Sequence, residues 1–146
     1  MINLELPIKD PKKILQFIPQ RDPIVMVSGV LDFADNFVKS EFKIESDNLF
    51  VLKDQLTEAG LIEHMAQSVA LYTGISFYIK NLVPPTGYIG SIKTVEIFTL
   101  PKINQTISTD VTILHEIMGV TMVKTTCKYG DQIIASAEMK TVIAPN

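Results

Sequence analysis

The spacing of apolar and polar residues predicts a short helix and a β-hairpin in the first third of the chain. Asp10 is an expected N-cap, proline follows at the first helical position, and Pro19 ends the helix. Residues 24–33 form a nearly continuous apolar run, and residues 37–44 alternate between apolar and polar positions. A turn over residues 34–36 would join the two as an antiparallel pair of strands.

A long helix and four further strands are predicted in the rest of the chain. Residues 45–56 have the composition of a loop, and residues 59–79 then place apolar side chains at helical spacing, until Asn81 and Pro84-Pro85 end the helix. Segments rich in Ile, Val and Thr follow at residues 88–98, 106–117, 120–129 and 132–143. Short connections favour antiparallel pairing, so one long helix against an antiparallel sheet predicts an α+β fold class.

The length limits the chain to one domain, and the composition suggests that it associates with another subunit. The 146 residues are enough for a single domain, predicted to span residues 1–146. Hydrophobic residues make up 47% of the chain and the mean hydropathy is +0.25, which is too apolar for a disordered protein. That apolar excess predicts that part of the surface is buried against another subunit.

Charge and cysteine content exclude several classes of function. The net charge is −3 and there is no basic run, so no nucleic-acid partner is expected. One cysteine, Cys127, and two histidines without metal-binding spacing predict neither a disulfide framework nor a metal site. Because the motifs of nucleotide-binding loops are also missing, we expect no cofactor.

The apolar segment at residues 59–79 is long enough to cross a bilayer. Its first half, however, contains Glu63, His64 and Gln67, which a membrane span would have to bury in lipid. We therefore expect a helix buried inside a globular protein and no membrane span. The N-terminus has neither the charged region nor the apolar run of a signal peptide, which together with the lone Cys127 predicts a cytoplasmic protein.

Glu63 is the most informative residue of the predicted long helix. It carries the only formal charge between Ala59 and Ile79. A carboxylate on a mostly buried helix is costly unless it is hydrogen-bonded or used in chemistry. Two interpretations are equally supported: a catalytic carboxylate, or a residue of the first turns that favours the positive end of the helix dipole.

Three polar residues near Glu63 or on the later strands are weaker candidates. Gln67 lies four residues further on the same helix face, where it would either orient the carboxylate or bond a neighbouring loop. His64 lies about 100° around the helix from Glu63, so the two would meet at one atom only across a two-fold interface. His115 falls on an apolar strand face and is expected to be a core or interface residue.

Three segments together resemble the hotdog-fold 3-hydroxyacyl-[acyl-carrier-protein] dehydratases. Residues 18–23 (IPQRDP) are similar to the family's opening LPHRYP, residues 60–67 (GLIEHMAQ) to its central helix VLIVEAMAQ, and residues 88–95 (YIGSIKTV) to the strand YLAGIDNVKF. The order and spacing hold from about residue 14 to residue 143. The resemblance implies a hotdog fold, in which a curved antiparallel sheet wraps a long helix, and a dimer with active sites at the subunit interface.

The resemblance also implies roles for individual residues. Glu63 matches the family's catalytic acid, which protonates the departing 3-hydroxyl while a histidine of the partner subunit removes the C2 proton. Backbone N–H groups at the helix start hold the thioester carbonyl, as in an oxyanion hole. Gln67, Gly60 at that helix start and Gly90 in the matching strand are the implied substrate-binding residues.

One departure from the family bears directly on the chemistry. The family's histidine precedes the central helix, whereas residues 51–59 are about three residues shorter and contain no histidine. A base would then have to come from His64 of a partner subunit or from Asp54 in the shortened loop. In this the chain is similar to the dehydratase-like proteins of aryl-polyene and flexirubin pigment clusters.

We therefore predict a dehydratase-like protein of fatty-acid or polyene-type acyl chain biosynthesis. Its partners would be an acyl-carrier-protein or coenzyme A thioester and a second hotdog subunit, identical or different. One alternative is a non-catalytic hotdog partner subunit, or acyl-thioester-binding protein, which the missing histidine favours. The other is a hotdog thioesterase that uses Glu63 as nucleophile or base.

Overall fold

One antiparallel sheet wraps around a long helix in the computed structural model, which describes residues 2–144. The helices and strands are α1 (Pro11–Ile14), β1 (Gly29–Ala34), β2 (Phe37–Lys43), β3 (Val51–Leu52), β4 (Gln55–Leu56), α2 (Glu58–Tyr78), β5 (Gly87–Ile97), β6 (Thr106–Ile117), β7 (Val120–Tyr129) and β8 (Gln132–Ile143). The sheet has the order β1-β2-β6-β7-β8-β5, and β3 pairs with β4 in a separate hairpin. The predicted α+β class is confirmed.

Helix α2 packs across β2, β6 and β7. On β2 the alternation predicted from sequence is present, because Val38, Ser40 and Phe42 are buried while Lys43 is exposed. Helix α2 starts at the N-cap Thr57, whose hydroxyl accepts a hydrogen bond from the Gly60 N–H at 3.4 Å. Its core-facing side chains are fully buried, so most of its stability comes from packing against the sheet.

The predicted strand over residues 24–33 forms only from Gly29 onwards. Residues 24–26 belong to no strand, and their backbone groups bond to side chains of α2: Gln67 contacts Ile24 and Met26, and His64 contacts Met26. An apolar run in the sequence predicts an extended backbone. Whether that backbone bonds to a neighbouring strand or to the side chains of a helix depends on tertiary contacts.

The predicted loop over residues 45–56 contains the short β3–β4 hairpin. Lys53 and Asp54 form its two-residue turn, with φ values of 53° and 62°. Two consecutive positive φ values are those of a type I′ turn, which matches the twist of an antiparallel pair. The Asp54 carbonyl then accepts a hydrogen bond from the Ile103 N–H at 3.1 Å, which ties the hairpin to the segment before β6.

The long strands extend beyond the helix that covers them. Ile113 on β6 is buried, whereas residues 114–117 are all exposed, and the register of β6 against β7 shifts between Ile113 and His115. His115 is therefore exposed in the single chain, so of the two expected roles it is not a core residue, and a place in a subunit interface stays a prediction. Within residues 2–144, no helix has the length and hydropathy needed to cross a bilayer.

Candidate functional site

A cleft of about 450 Å³ runs along the side of α2 that the sheet does not cover. Its walls are α2, the segment around Phe17, and the edge strand β5 with the neighbouring end of β8. The helix contributes mainly small or apolar side chains at helical spacing, and one carboxylate: Glu63, Ala66, Ala70, Thr73 and Phe77. The cleft is therefore lined by both apolar and polar side chains, with the Glu63 carboxylate on its helical wall and those of Asp35 and Glu116 elsewhere in the lining.

Gln67 holds the carboxylate of Glu63 in this cleft. The Gln67 side-chain oxygen accepts a hydrogen bond from the Met26 N–H at 2.6 Å, so its amide nitrogen must be the donor to its other two partners. That nitrogen donates to the Ile24 carbonyl and to Glu63 Oε1, both at 2.8 Å. Since Gln67 is fully buried and makes three hydrogen bonds, it fixes one carboxylate oxygen, and the other has no hydrogen-bond partner within residues 2–144.

His64 points the other way, into the core between α2 and the sheet. It is fully buried, its ring stacks on Phe42 with 5.6 Å between centroids, and both ring nitrogens are bonded. The Met26 carbonyl can only accept, so Nδ1 carries the proton and donates at 2.7 Å, while Nε2 accepts from the Thr109 hydroxyl at 2.8 Å. Burial lowers the pKa of His64 from 6.5 to about 4. No nitrogen remains to reach a substrate in a partner subunit.

Gly60, predicted to bind substrate, lies where the β3–β4 segment covers the start of α2. A Cβ atom on Gly60 would lie 2.6 Å from both Leu56 Cδ1 and Phe50 Cβ. The Gly60 N–H is directed at the Thr57 hydroxyl and the Leu61 N–H at the Thr57 carbonyl. The structure thus explains the glycine at position 60 by the close packing of Phe50 and Leu56. The N–H groups of Gly60 and Leu61, at the start of the helix, already have hydrogen-bond partners within the chain.

Asp54 and Gly90, the remaining predicted site residues, do not line the cleft with Glu63. Asp54 is exposed in the β3–β4 turn. Gly90 lies on β5 at a register irregularity between Ile89 and Ser91. The structure therefore joins Glu63 and Gln67 by a hydrogen bond, and it places neither Asp54 nor Gly90 in the lining of the cleft.

The cleft also contains residues that sequence reasoning did not select. Tyr72 stacks on Phe33 with 5.7 Å between ring centroids, and both rings line the cleft. Gln20 lines it as well, and its buried side-chain oxygen has no hydrogen-bond partner among the described residues. Their positions depend on contacts between distant segments, although Gln20 does lie within the IPQRDP motif that carried the resemblance.

In the part of the chain from residue 2 to residue 144, no three His, Cys, Asp or Glu side chains are grouped so that they could hold a metal ion. The lone Cys127 is a buried strand residue on β7, and burial raises the pKa of its thiol to about 11. A thiol in that state is a poor nucleophile or metal ligand. Of the three carboxylates that line the cleft, Asp35 and Glu116 are exposed, whereas Glu63 is partly buried and bonded to Gln67.

Solved structures identify the fold class as hotdog. A chain of the dehydratase heterocomplex ApeI:P from Xenorhabdus doucetiae superimposes with a TM-score of 0.85 at 17% identity, over 98% of this chain and 93% of that one. An uncharacterised protein from Pyrococcus horikoshii, PH1136, gives a TM-score of 0.70 at 11% identity over 100% and 97% of the two chains. An HP0420 homologue from Helicobacter felis also gives 0.70 at 11%, over 94% and 91%.

The family follows from the sequence itself. The profile of the ApeP-like family, described as ApeP dehydratase, matches residues 12–146. Because this match covers nearly the whole chain, the protein belongs to the ApeP-like dehydratase family. No curated protein sequence matches the chain.

Proposed function

We propose that this chain is one subunit of a heteromeric hotdog dehydratase that removes water from a 3-hydroxyacyl thioester. In this proposal the chain supplies Glu63 as the acid, and a second, different hotdog subunit supplies the base. The substrate is an acyl chain of fatty-acid or polyene type, carried on an acyl carrier protein or coenzyme A. The expected cytoplasmic location is part of the same proposal.

The observation that carries the proposal is the Glu63 carboxylate, held by Gln67 on the helical wall of the cleft. Elimination of water needs an acid at the 3-hydroxyl and a base at C2. Glu63 donates its proton to the hydroxyl oxygen as the C3–O bond breaks and water leaves. The base takes the C2 proton, and the electrons of that C–H bond form the C2–C3 double bond. One oxygen of Glu63 is bonded to Gln67, so the second is available for the proton transfer.

The two histidines support a base from another chain. His64 is buried and bonded at both nitrogens, and His115 is exposed at the far part of β6 without lining the cleft. Asp54 does not line the cleft either, and the two further carboxylates that do, Asp35 and Glu116, are exposed. Family membership agrees with this division of labour, because the Xenorhabdus doucetiae protein of the same fold was solved as a dehydratase heterocomplex.

The edge strand β5 is the surface we propose for the second subunit. Almost all of its residues are exposed, and apolar side chains line it and the position that follows it, at Ile89, Ile92, Val95 and Phe98. An exposed apolar edge strand is a surface that invites pairing with another chain. Because the first residues of β5 also line the cleft, a subunit paired there would extend the wall of the cleft that faces α2.

The deciding experiment combines this chain with a second hotdog protein encoded beside it. Each protein alone and the purified pair are incubated with a 3-hydroxyacyl thioester on a carrier protein, and loss of the mass of one water is followed by mass spectrometry. We expect dehydration by the pair only. Dehydration by this chain alone would contradict the need for a second subunit.

In the same assay we expect Glu63→Gln to lower the turnover of the pair by about 10²–10⁴-fold, the usual contribution of a general acid. Glu58→Gln is the matched control, since Glu58 is an exposed carboxylate in the first turn of the same helix. Its variant should retain nearly full activity. Full activity of Glu63→Gln would remove the catalytic role and favour a subunit that only binds the acyl chain.

A further inference from the structure

Three side chains of α2 are linked to one another through the backbone of a single residue outside the helix. The carbonyl of Met26 accepts a hydrogen bond from His64 Nδ1 at 2.7 Å, and the N–H of Met26 donates to Gln67 Oε1 at 2.6 Å. Gln67 Nε2 in turn donates to Glu63 Oε1 at 2.8 Å. His64 is therefore joined to the carboxylate in the cleft, although its own ring is buried in the core.

This series of hydrogen bonds begins on the sheet. The Thr109 hydroxyl, on β6, donates to His64 Nε2 at 2.8 Å. Because a neutral imidazole carries one proton, a donor at Nε2 leaves that proton on Nδ1, the nitrogen that bonds Met26. Thr109 and His64 are both fully buried, so bulk water does not reach these bonds. The two partners of the ring thus stabilise the same tautomer.

Met26 depends on the two helix side chains because it belongs to no strand. Its carbonyl bonds to His64, its N–H bonds to Gln67, and the residue is fully buried. Without the donor from His64, the carbonyl would be a buried acceptor that lacks its partner, which is unfavourable. A shift that relieves this also moves the N–H that holds Gln67, since both groups belong to one residue.

We propose that His64 is a positioning residue for Glu63 and acts through the backbone of Met26 and the side chain of Gln67. The inference rests on the proposed function, in which Glu63 is the acid. No proton passes along these bonds, and each of them fixes the orientation of the next group. Because a general acid must lie within hydrogen-bond reach of the departing hydroxyl, a small displacement of Glu63 slows the reaction.

Two amide substitutions separate this role from packing. The amide nitrogen of asparagine is as many bonds from Cα as Nδ1 of histidine, so His64→Asn can still donate to Met26. The amide nitrogen of glutamine corresponds to Nε2 instead, so His64→Gln faces Thr109 and loses the donor to Met26. If the ring only filled space beside Phe42, glutamine would be the better replacement, since it is closer to histidine in size.

The test measures kcat and KM of the purified pair of subunits with the 3-hydroxyacyl thioester. We expect His64→Gln to lower kcat by about 10–100-fold with little change in KM, because the acid is displaced while the walls of the cleft stay in place. His64→Asn should retain most of the wild-type kcat. Equal kcat values for the two variants, or a higher one for His64→Gln, would overturn the inference.

A double substitution asks whether the effect passes through Glu63. In the Glu63→Gln background, adding His64→Gln should lower kcat little further, since the acid that His64 positions is already absent. A full additional loss in this background would show that His64 acts by another route and would refute the role.

Ser40→Ala is the matched control for the loss of a buried hydrogen bond. Ser40 is a fully buried residue of β2 whose hydroxyl bonds that of Ser68 on α2 at 2.6 Å, outside the bonds that lead to Glu63. It should lose stability in urea and keep its kcat. Thr109→Val should lower kcat, and Thr109→Ser, which keeps the hydroxyl, should restore it. An equal loss of kcat in Ser40→Ala and Thr109→Val would contradict the proposal.

The side-chain amide of Gln67 reports on the same contacts without turnover. It bonds to the Ile24 carbonyl and to Glu63, so its protons should exchange slowly with solvent. By NMR of the purified protein, we expect faster exchange in His64→Gln and wild-type exchange in His64→Asn. Unchanged exchange in both would refute the inference. A pair that fails to dehydrate the thioester would refute the enzymatic proposal alone, and the exchange of Gln67 would still decide whether His64 holds Glu63.

Discussion

Glu63 and His64 are adjacent in the chain but lie in different environments. About 100° of helical rotation directs Glu63 to the open side of α2 and His64 into the core. Gln67 is close enough to Glu63 to bond its carboxylate, and it is also bonded to residues 24 and 26. Replacing Gln67 by an apolar residue would leave a buried N–H and a buried carbonyl without partners, each at a cost of about 1–3 kcal/mol.

His64 should make the protein sensitive to mild acid. Its pKa is about 4 in the folded protein and 6.5 when unfolded, so between these values the unfolded chain binds the extra proton and stability falls as the pH falls. We expect His64 alone to account for a loss of about 2 kcal/mol between pH 7 and pH 5. Urea unfolding of wild type and His64→Gln at both pH values measures this difference.

The control for this experiment is His115→Gln, because His115 is the other histidine and is exposed. It should lose as much stability on acidification as the wild type, whereas His64→Gln should lose less. An identical pH dependence in His64→Gln and wild type would show that this histidine is not buried in its neutral form.

At the scale of elements, one glycine sets how closely α2 approaches the segment after α1. A Cβ atom on Gly74 would lie 1.9 Å from the Phe17 carbonyl oxygen, closer than any real contact. Alanine is the better helix former by about 1 kcal/mol, so propensity alone would favour Gly74→Ala. We expect the clash to dominate and the variant to be destabilised by about 3 kcal/mol, measured by thermal or urea unfolding.

Gly87→Ala is the matched control for that substitution. A Cβ atom on Gly87 meets only the Val142 carbonyl, at an ordinary contact distance of 3.6 Å, so stability should change by less than about 0.5 kcal/mol. If Gly74→Ala were as stable as wild type, the close crossing of α2 and residue 17 would be wrong. The walls of the cleft would then be wrong with it, since Phe17 and Gly74 both line it.

At the scale of the whole molecule, the sheet has one edge strand, β5, that we expect to pair with another chain. Strand β5 is exposed along nearly its entire length and carries apolar side chains. Lysine on an edge strand opposes pairing with another chain. We therefore expect Val95→Lys to weaken assembly with the second subunit or with another copy, detected as a lower mass by light scattering.

Leu49→Lys is the corresponding control, because Leu49 is 58% exposed and lies in the loop before β3, outside the edge strand. It should leave the mass of the assembly unchanged. If Val95→Lys had no effect on the mass while remaining folded, the proposed role of β5 as the subunit interface would be refuted.

Much of the fold was predictable because local pattern determines local structure. Helical spacing located α2, alternation located β2, and glycine or Gly-Asp turns separated the last three strands. Glu63 was recognisable because it is the one formal charge between Ala59 and Ile79. The β3–β4 hairpin was missed because its strands are two residues long, and residues 24–26 were assigned to a strand because an apolar run has the same pattern whatever its backbone bonds.

The sequence alone determined the order of the long helix and the long strands, and it selected the carboxylate, because periodicity and isolated charge are properties of neighbouring residues. The tertiary structure decided which side of α2 the sheet covers, and so placed Glu63 in the cleft and His64 in the core. Those relations depend on contacts between distant segments, which no local pattern specifies.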